Sequence, residues 1–270
     1  MSMYKLFFIG TGKMATAIAG GVVKSKLMAG NEIGGFDVSE AACAAFAKAT
    51  GCQAAADDLA GGLANSEAVF LAVKPQMLET ALASCKELLH DKLIISIVAG
   101  VSLEKLQMLT GASRIIRVMP NTPAMVGGGV AVYSAAPDAA VKDVELADKV
   151  FSAVGLAIAL PEQYMDGVTA VSGSGPAYVF EFIQAMADGG VAEGLPRDIA
   201  LKLAAQTVMG AAKMVLDSGE HPQQLKDNVT SPAGTTSRAL EFMAAKGFSG
   251  IVMQSVRAAA QRSRELGGKK

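Results

Sequence analysis

A short apolar strand that ends in a paired-glycine turn and runs straight into a helix leaves a chain few folds to choose from. Residues 4–10, Tyr-Lys-Leu-Phe-Phe-Ile-Gly, read as a buried strand, and Gly10, Gly12 and Ala15 continue it as G-x-G-x-x-A. The first glycine permits the tight turn, and the second lets backbone approach a diphosphate. The small third residue allows the helix to pack closely on the strand. A helix start also offers N–H donors and the positive end of its dipole to an anion. The segment is therefore expected to cradle the pyrophosphate of a dinucleotide, although a plain tight turn asks for the same glycines.

The rest of the first half keeps the same rhythm. Apolar runs at 32–38, 68–73, 93–98, 114–119, 130–134 and 157–160 read as strands, with helices at 14–25, 39–49 and 138–153. Strands alternating with helices predict a doubly wound parallel sheet. Beyond Pro161 the strand-like runs stop, and helices are expected at 163–171, 175–193, 197–217, 222–229, 235–246 and 249–266. The fold class is thus α/β, a Rossmann-like dinucleotide-binding domain over 1–160 followed by an all-helical domain over 161–270.

Composition narrows the classes further. Hydrophobic residues make up 51% of the 270, yet aromatics are 5%, Trp is absent and Gly numbers 29, so the apolar share lies in small side chains. Charged residues are only 18% and the net charge is −1, without the basic stripe of a nucleic-acid binder. Cys43, Cys52 and Cys85 have no metal-ligand spacing, and His90 and His221 are too few for a zinc site. No metal is expected, and a reducing cytoplasm fits best. The apolar start is broken by Gly10, Gly12 and Lys13. The uncharged stretch 118–136 contains Pro120, Pro123 and three consecutive glycines, so neither is expected to enter a membrane.

Several residues at strand ends are candidates for cofactor contact. Asp37 ends the second strand about twenty residues beyond the glycine motif, where an acidic group binds a ribose 2′-hydroxyl and favours NAD. A turn or N-cap aspartate is the alternative. Lys74, in Ala72-Val-Lys74-Pro75, is expected to face the cofactor phosphates or ribose, or else solvent. The loops Val98-Ala-Gly100 and Met119-Pro-Asn-Thr-Pro123 sit at similar ends. Ser231-Pro-Ala-Gly-Thr-Thr-Ser237 precedes a helix and offers hydroxyls and amides to a carboxylate, or else Thr235 or Thr236 is an N-cap. No Ser/His/Asp or Cys/His set is present. That suits hydride transfer, which needs placement, a proton source and electrostatics from the protein.

Taken together, these segments resemble pyrroline-5-carboxylate reductases. The matching pieces are Phe8-Ile-Gly-Thr-Gly12, Ala72-Val-Lys-Pro75, Arg117-Val-Met-Pro-Asn-Thr-Pro123, Val171-Ser-Gly-Ser-Gly-Pro-Ala-Tyr178, Asp188-Gly-Gly190 with Gly194-Leu-Pro196, and Leu225-Lys-Asp-Asn-Val-Thr-Ser-Pro232 through Thr236. The resemblance implies hydride delivery from NADPH, with NADH an alternative, to the imine carbon of (S)-1-pyrroline-5-carboxylate, giving L-proline. It implies Thr236 as proton donor or relay, and the backbone N–H groups of Gly234, Thr235 and Thr236 as holders of the substrate carboxylate. Asn228 and Glu162 match substrate-side positions, and Gly10, Thr11, Gly12, Lys13, Met14, Val73, Lys74 and Ala99 match cofactor-side ones. The Ser172–Tyr178 segment is expected to shape the floor of the site or simply to start a helix. Homodimers, or oligomers built from dimers, are implied too, with the helical domains buried against each other. Asp37 departs from the pattern of NADPH-using relatives, and Thr235 stands where a smaller residue is common. A β-hydroxyacid dehydrogenase, with Lys202 or Lys213 as base, and a non-catalytic nicotinamide sensor are the rival readings.

Overall fold

The computed structural model describes residues 4–268. The chain separates into two compact units, one built from residues up to Ser174 together with Ala259 onward, the other from Gly175–Ala258.

The first unit is a seven-stranded sheet in the order β2-β1-β3-β4-β5-β6-β7. The strands are β1 (Tyr4–Ile9), β2 (Ile33–Phe36), β3 (Ser66–Leu71), β4 (Leu93–Ser96), β5 (Ile115–Met119), β6 (Gly129–Ala135) and β7 (Gly155–Ala159). Helices α1 (Lys13–Lys24), α2 (Glu40–Thr50) and α6 (Val141–Ser152) link them. So do the shorter α3 (Leu59–Ala64), α4 (Leu78–Leu82) and α5 (Leu103–Thr110). Both sheet faces are covered, which is why the central strands carry continuous apolar runs, such as 68–71 and 93–95, rather than alternating ones. On one face Leu6, Phe8, Phe70, Ile95 and Ile116 pack with Ile18 and Val22 of α1 and Phe151 of α6. The Phe8 and Phe70 rings stack with centroids 4.6 Å apart. On the other face Phe7, Ile9, Val69, Leu71 and Ile94 meet Leu63, Leu78, Leu82 and Leu106. Ser39 and Ser102 cap α2 and α5, and Gly51 and Gly111 end them in the left-handed conformation.

The sheet departs from the parallel expectation at one place. β5 pairs antiparallel with β6, and β6 pairs parallel with β7, so the last two strands run against the first five. The reason is the connection. Parallel neighbours need a crossover of about a dozen residues or more, whereas Met119 reaches Gly129 through little more than a 3₁₀ turn, Thr122–Val126. The three short helices α3, α4 and α5 add to the helical pattern of the sequence; Leu59–Ala64 in particular is too short and glycine-rich to show a helical period.

The expected helix over 163–171 is a composite. A 3₁₀ turn, Glu162–Tyr164, leads into α7 (Met165–Val168), which widens to a π turn over Thr169–Gly173. The expected break at Ser172–Pro176 is therefore a widened turn leading into the next helix. From residue 259 the chain rejoins this unit, where the Ser263 hydroxyl donates to Asp166 Oδ1 at 2.8 Å.

The second unit is wholly helical. It contains α8 (Gly175–Ala192), α9 (Arg197–Ser218), α10 (Pro222–Asn228), α11 (Thr235–Ala245) and the first part of α12 (Phe248–Leu266). Its buried core, among the described residues, is Ala187, Ala200 and Ala204, with Ile183 and Val191 packed beside them. By contrast Phe180, Leu203, Met209, Leu216 and Phe242 are exposed. α9 is long and apolar enough to cross a membrane by length and composition, and only 11% of its most apolar stretch is buried.

Candidate active site

The cofactor-side candidates come from three neighbouring parallel strands. In the register of β1, β3 and β4, Ile9 lies beside Leu71 and Leu71 beside Ser96. The segments that follow, Gly10–Met14, Ala72–Lys74 and Ile97–Gly100, therefore leave the sheet from the same edge. That is the edge where open α/β sheets bind ligands.

Gly10 is required there twice over. Its φ is +96°, and an added Cβ would sit 2.8 Å from the carbonyl oxygen of Ala72. Gly12 is the N-cap of α1 and no side chain caps that helix, so its first amides are open to an anion. Gly12 and Lys13 are exposed and Met14 is half-buried. Thr11 is buried, and among the described residues its hydroxyl has no hydrogen-bond partner. An uncapped helix start, a glycine cradle and an orphaned hydroxyl together fit the diphosphate of a dinucleotide. Lys74 is exposed at the start of a 3₁₀ turn, Pro75–Met77, with Val73 half-buried before it and Ala99 exposed on the next loop.

Asp37 has a definite local role. Its Oδ2 accepts the Thr11 amide at 2.9 Å and its Oδ1 accepts the Ser39 amide at 3.0 Å. The N-cap alternative falls to Ser39, whose hydroxyl accepts from Ala42 N–H. Asp37 instead ties the end of β2 to the glycine loop.

Glu162 is anchored within the first unit. Its Oε1 accepts from Arg117 Nη1 and from the Leu103 amide, each at 2.8 Å. Arg117, its partner, is 7% exposed. An arginine inside an otherwise apolar strand is itself the signal, because a buried charge demands a counter-charge.

The remaining substrate-side candidates lie in the second unit. Asn228 closes α10, exposed, with Oδ1 accepting from Gln224 Nε2 at 3.0 Å. Gly234 donates to the Ser231 carbonyl at 3.1 Å, and Ala233 before it takes the left-handed φ of 56°. Gly234 is the N-cap of α11 and no side chain caps the helix, so the alternative of Thr235 or Thr236 as N-cap is set aside. The Ser237 hydroxyl turns back to the Gly234 carbonyl at 2.8 Å. Thr235 is exposed and Thr236 half-buried at the helix start. Amides with no intrahelical partner and a threonine hydroxyl thus share one turn, a setting suited to a carboxylate beside a weak proton donor.

Lys202 and Lys213, the bases a hydroxyacid dehydrogenase would need, are exposed and each faces an aspartate one turn away. Lys202 lies 3.7 Å from Asp198, and Lys213 pairs with Asp217.

Comparison with known proteins identifies the family. Residues 162–266 match the family model for pyrroline-5-carboxylate reductase dimerisation, and residues 5–100 match that for the NADP oxidoreductase, coenzyme F420-dependent family. A pyrroline-5-carboxylate reductase of Pisum sativum is 45% identical, covering 97% of this chain and 96% of its own length. One from Methanosarcina acetivorans is 44% identical over the whole of both chains. The crystal structure of the Plasmodium falciparum pyrroline carboxylate reductase, with NADP bound, superposes with a TM-score of 0.88 at 33% identity, covering 99% of each chain. With an oxidoreductase sheet domain and a self-association domain in order along it, the chain belongs to the pyrroline-5-carboxylate reductase family.

Proposed function

We propose that this chain reduces (S)-1-pyrroline-5-carboxylate to L-proline, the closing step of proline formation, as a homodimer or an oligomer of dimers. The sheet domain, 1–160, holds the cofactor, and the helical domain, 161–270, supplies substrate contacts and self-association. Membership of a reductase family at full length supports the activity. NADP bound to the Plasmodium relative supports NADPH as the reductant, with NADH as a second possibility.

When bound, the reduced nicotinamide supplies one hydride to the imine carbon, a proton goes to the ring nitrogen, and the oxidised cofactor leaves. The protein's own part is placement and charge. Gly10, Thr11, Gly12, Lys13 and Met14 hold the diphosphate at the start of α1, and Val73, Lys74 and Ala99 line the loops beside it. The amides of Gly234, Thr235 and Thr236 take the substrate carboxylate, with Asn228 and Glu162 on the substrate side. The Thr236 hydroxyl donates a hydrogen bond or relays a proton to the ring nitrogen, which makes the carbon a better hydride acceptor.

The observation that carries the substrate reading is the start of α11, whose amides no side chain caps. The test is NADPH oxidation in the presence of pyrroline-5-carboxylate, with proline identified as product and a panel of hydroxyacids as comparison. Turnover of hydroxyacids alone, or cofactor binding without turnover, overturns the reading.

A further inference from the structure

Two described residues other than glycine hold a left-handed backbone, Lys26 and Ala233. Lys26 follows α1, where that conformation is an ordinary way to end a helix. Ala233 stands before a helix instead, in the candidate substrate loop. Its φ of 56° falls inside the turn 231–234, which the Gly234 amide closes on the Ser231 carbonyl at 3.1 Å. Pro232 at the second position and a positive φ at the third are the layout of a type II turn, whose third position calls for glycine or asparagine. This chain places alanine there, and its Cβ crowds the following carbonyl oxygen.

Gly234 is held just as tightly, since an added Cβ would lie 2.5 Å from Ser231 Oγ. Directly after it α11 begins, with the Thr235 and Thr236 amides at positions that have no intrahelical acceptor. The backbone entering the helix decides where those amides point, and its one unusual torsion is at Ala233. Strained backbone of this kind gathers at active sites and ligand clamps. Ala233 is exposed, so the constraint falls on its backbone rather than on the packing of its methyl group.

We propose that Ala233 is a positioning residue for the substrate: its left-handed backbone aims the Thr235 and Thr236 amides at the carboxylate of the imine. It thereby sets substrate affinity and leaves cofactor affinity untouched. This rests on the reading of the chain as a pyrroline-5-carboxylate reductase.

The test compares full-length wild type, Ala233→Val and Ala233→Asn, measuring kcat and KM for pyrroline-5-carboxylate and NADPH affinity by fluorescence titration. Valine, branched at Cβ, resists the left-handed region, whereas asparagine tolerates it. Ala233→Val should raise KM for the imine by about tenfold, the scale of one lost hydrogen bond to a charged group, with the NADPH Kd changed less than about twofold. Ala233→Asn, although larger than alanine, should keep KM within about twofold of wild type. A wild-type KM in Ala233→Val, a KM raised as far in Ala233→Asn, or NADPH affinity falling in step with KM overturns the proposal. Should Ala233→Val fail to fold, Ala233→Leu is measured the same way and judged by the same outcomes. A wild-type protein that does not reduce the imine fails the underlying reading instead, so the two failures are distinct.

Discussion

Arg117 and Glu162 stand 45 residues apart in sequence and 2.8 Å apart in space, joining the middle of β5 to the first turn after β7. The same Glu162 oxygen also accepts the first amide of α5. Arg117 has only 9% of its side chain exposed, so removing Glu162 would leave a nearly buried guanidinium without its counter-charge. Glu162→Ala is expected to lower unfolding stability by about 2 kcal/mol in urea titration. Glu162→Gln, which keeps the acceptor for Leu103 and loses the charge, should lose less. Equal stability of Glu162→Ala and wild type would remove the anchoring role.

Thr236 carries the chemical proposal. Thr236→Ala should lower kcat by about a hundredfold if its hydroxyl assists protonation, with NADPH affinity nearly intact. Thr236→Ser, retaining a hydroxyl, should recover most of the loss. Full turnover in the alanine variant would end the assignment.

Asp37 bears on cofactor choice. Its carboxylate holds the Thr11 and Ser39 amides at the end of β2, where the ribose of a dinucleotide is read. Negative charge there opposes a 2′-phosphate, so Asp37→Ser should move the ratio of kcat/KM values toward NADPH over NADH by about tenfold. A ratio unchanged from wild type would confine Asp37 to holding the glycine loop.

Acid stability should reflect another pair. Asp143 is almost wholly buried, its carboxylate taking Arg114 Nε at 2.8 Å and the Ala140 amide at 2.9 Å. The Arg114 hydrogen bond holds its pKa below the ordinary value of 3.8, burial opposing. A carboxyl depressed in the folded state stabilises fully above its unfolded pKa and loses that contribution as pH falls through the folded value. Stability measured by urea titration should therefore decline as pH drops below about 4, and less steeply in Asp143→Asn. Parallel pH profiles for the two proteins would refute the link.

The sequence displays some of this architecture and conceals the rest for physical reasons. Gly10 and Gly12 announce the turn after β1 because backbone geometry leaves no other residue comfortable there. The apolar runs of β3 and β4 announce strands because both sheet faces are covered. The direction of β6 is hidden, since the pattern of a buried strand is the same whichever way it runs. The role of Asp37 is hidden for a similar reason: an acidic residue at a strand end serves equally a ribose, a cap or a loop. The pairing of Arg117 with Glu162, and of Asn121 with Ser172, exists only once the chain has folded.

The three-alanine core of the helical unit has a consequence for how the protein comes into being. Methyl groups bury too little apolar area to offset the ordering of α8 through α11, while Phe180, Leu203, Met209 and Leu216 remain outside. The family's self-association domain spans this region. Coupling of folding there to self-association would make its stability depend on concentration as much as on sequence. Dilution is then expected to act on this protein as a denaturant does, with the midpoint of unfolding climbing as chain concentration rises; a midpoint independent of concentration would refute the coupling.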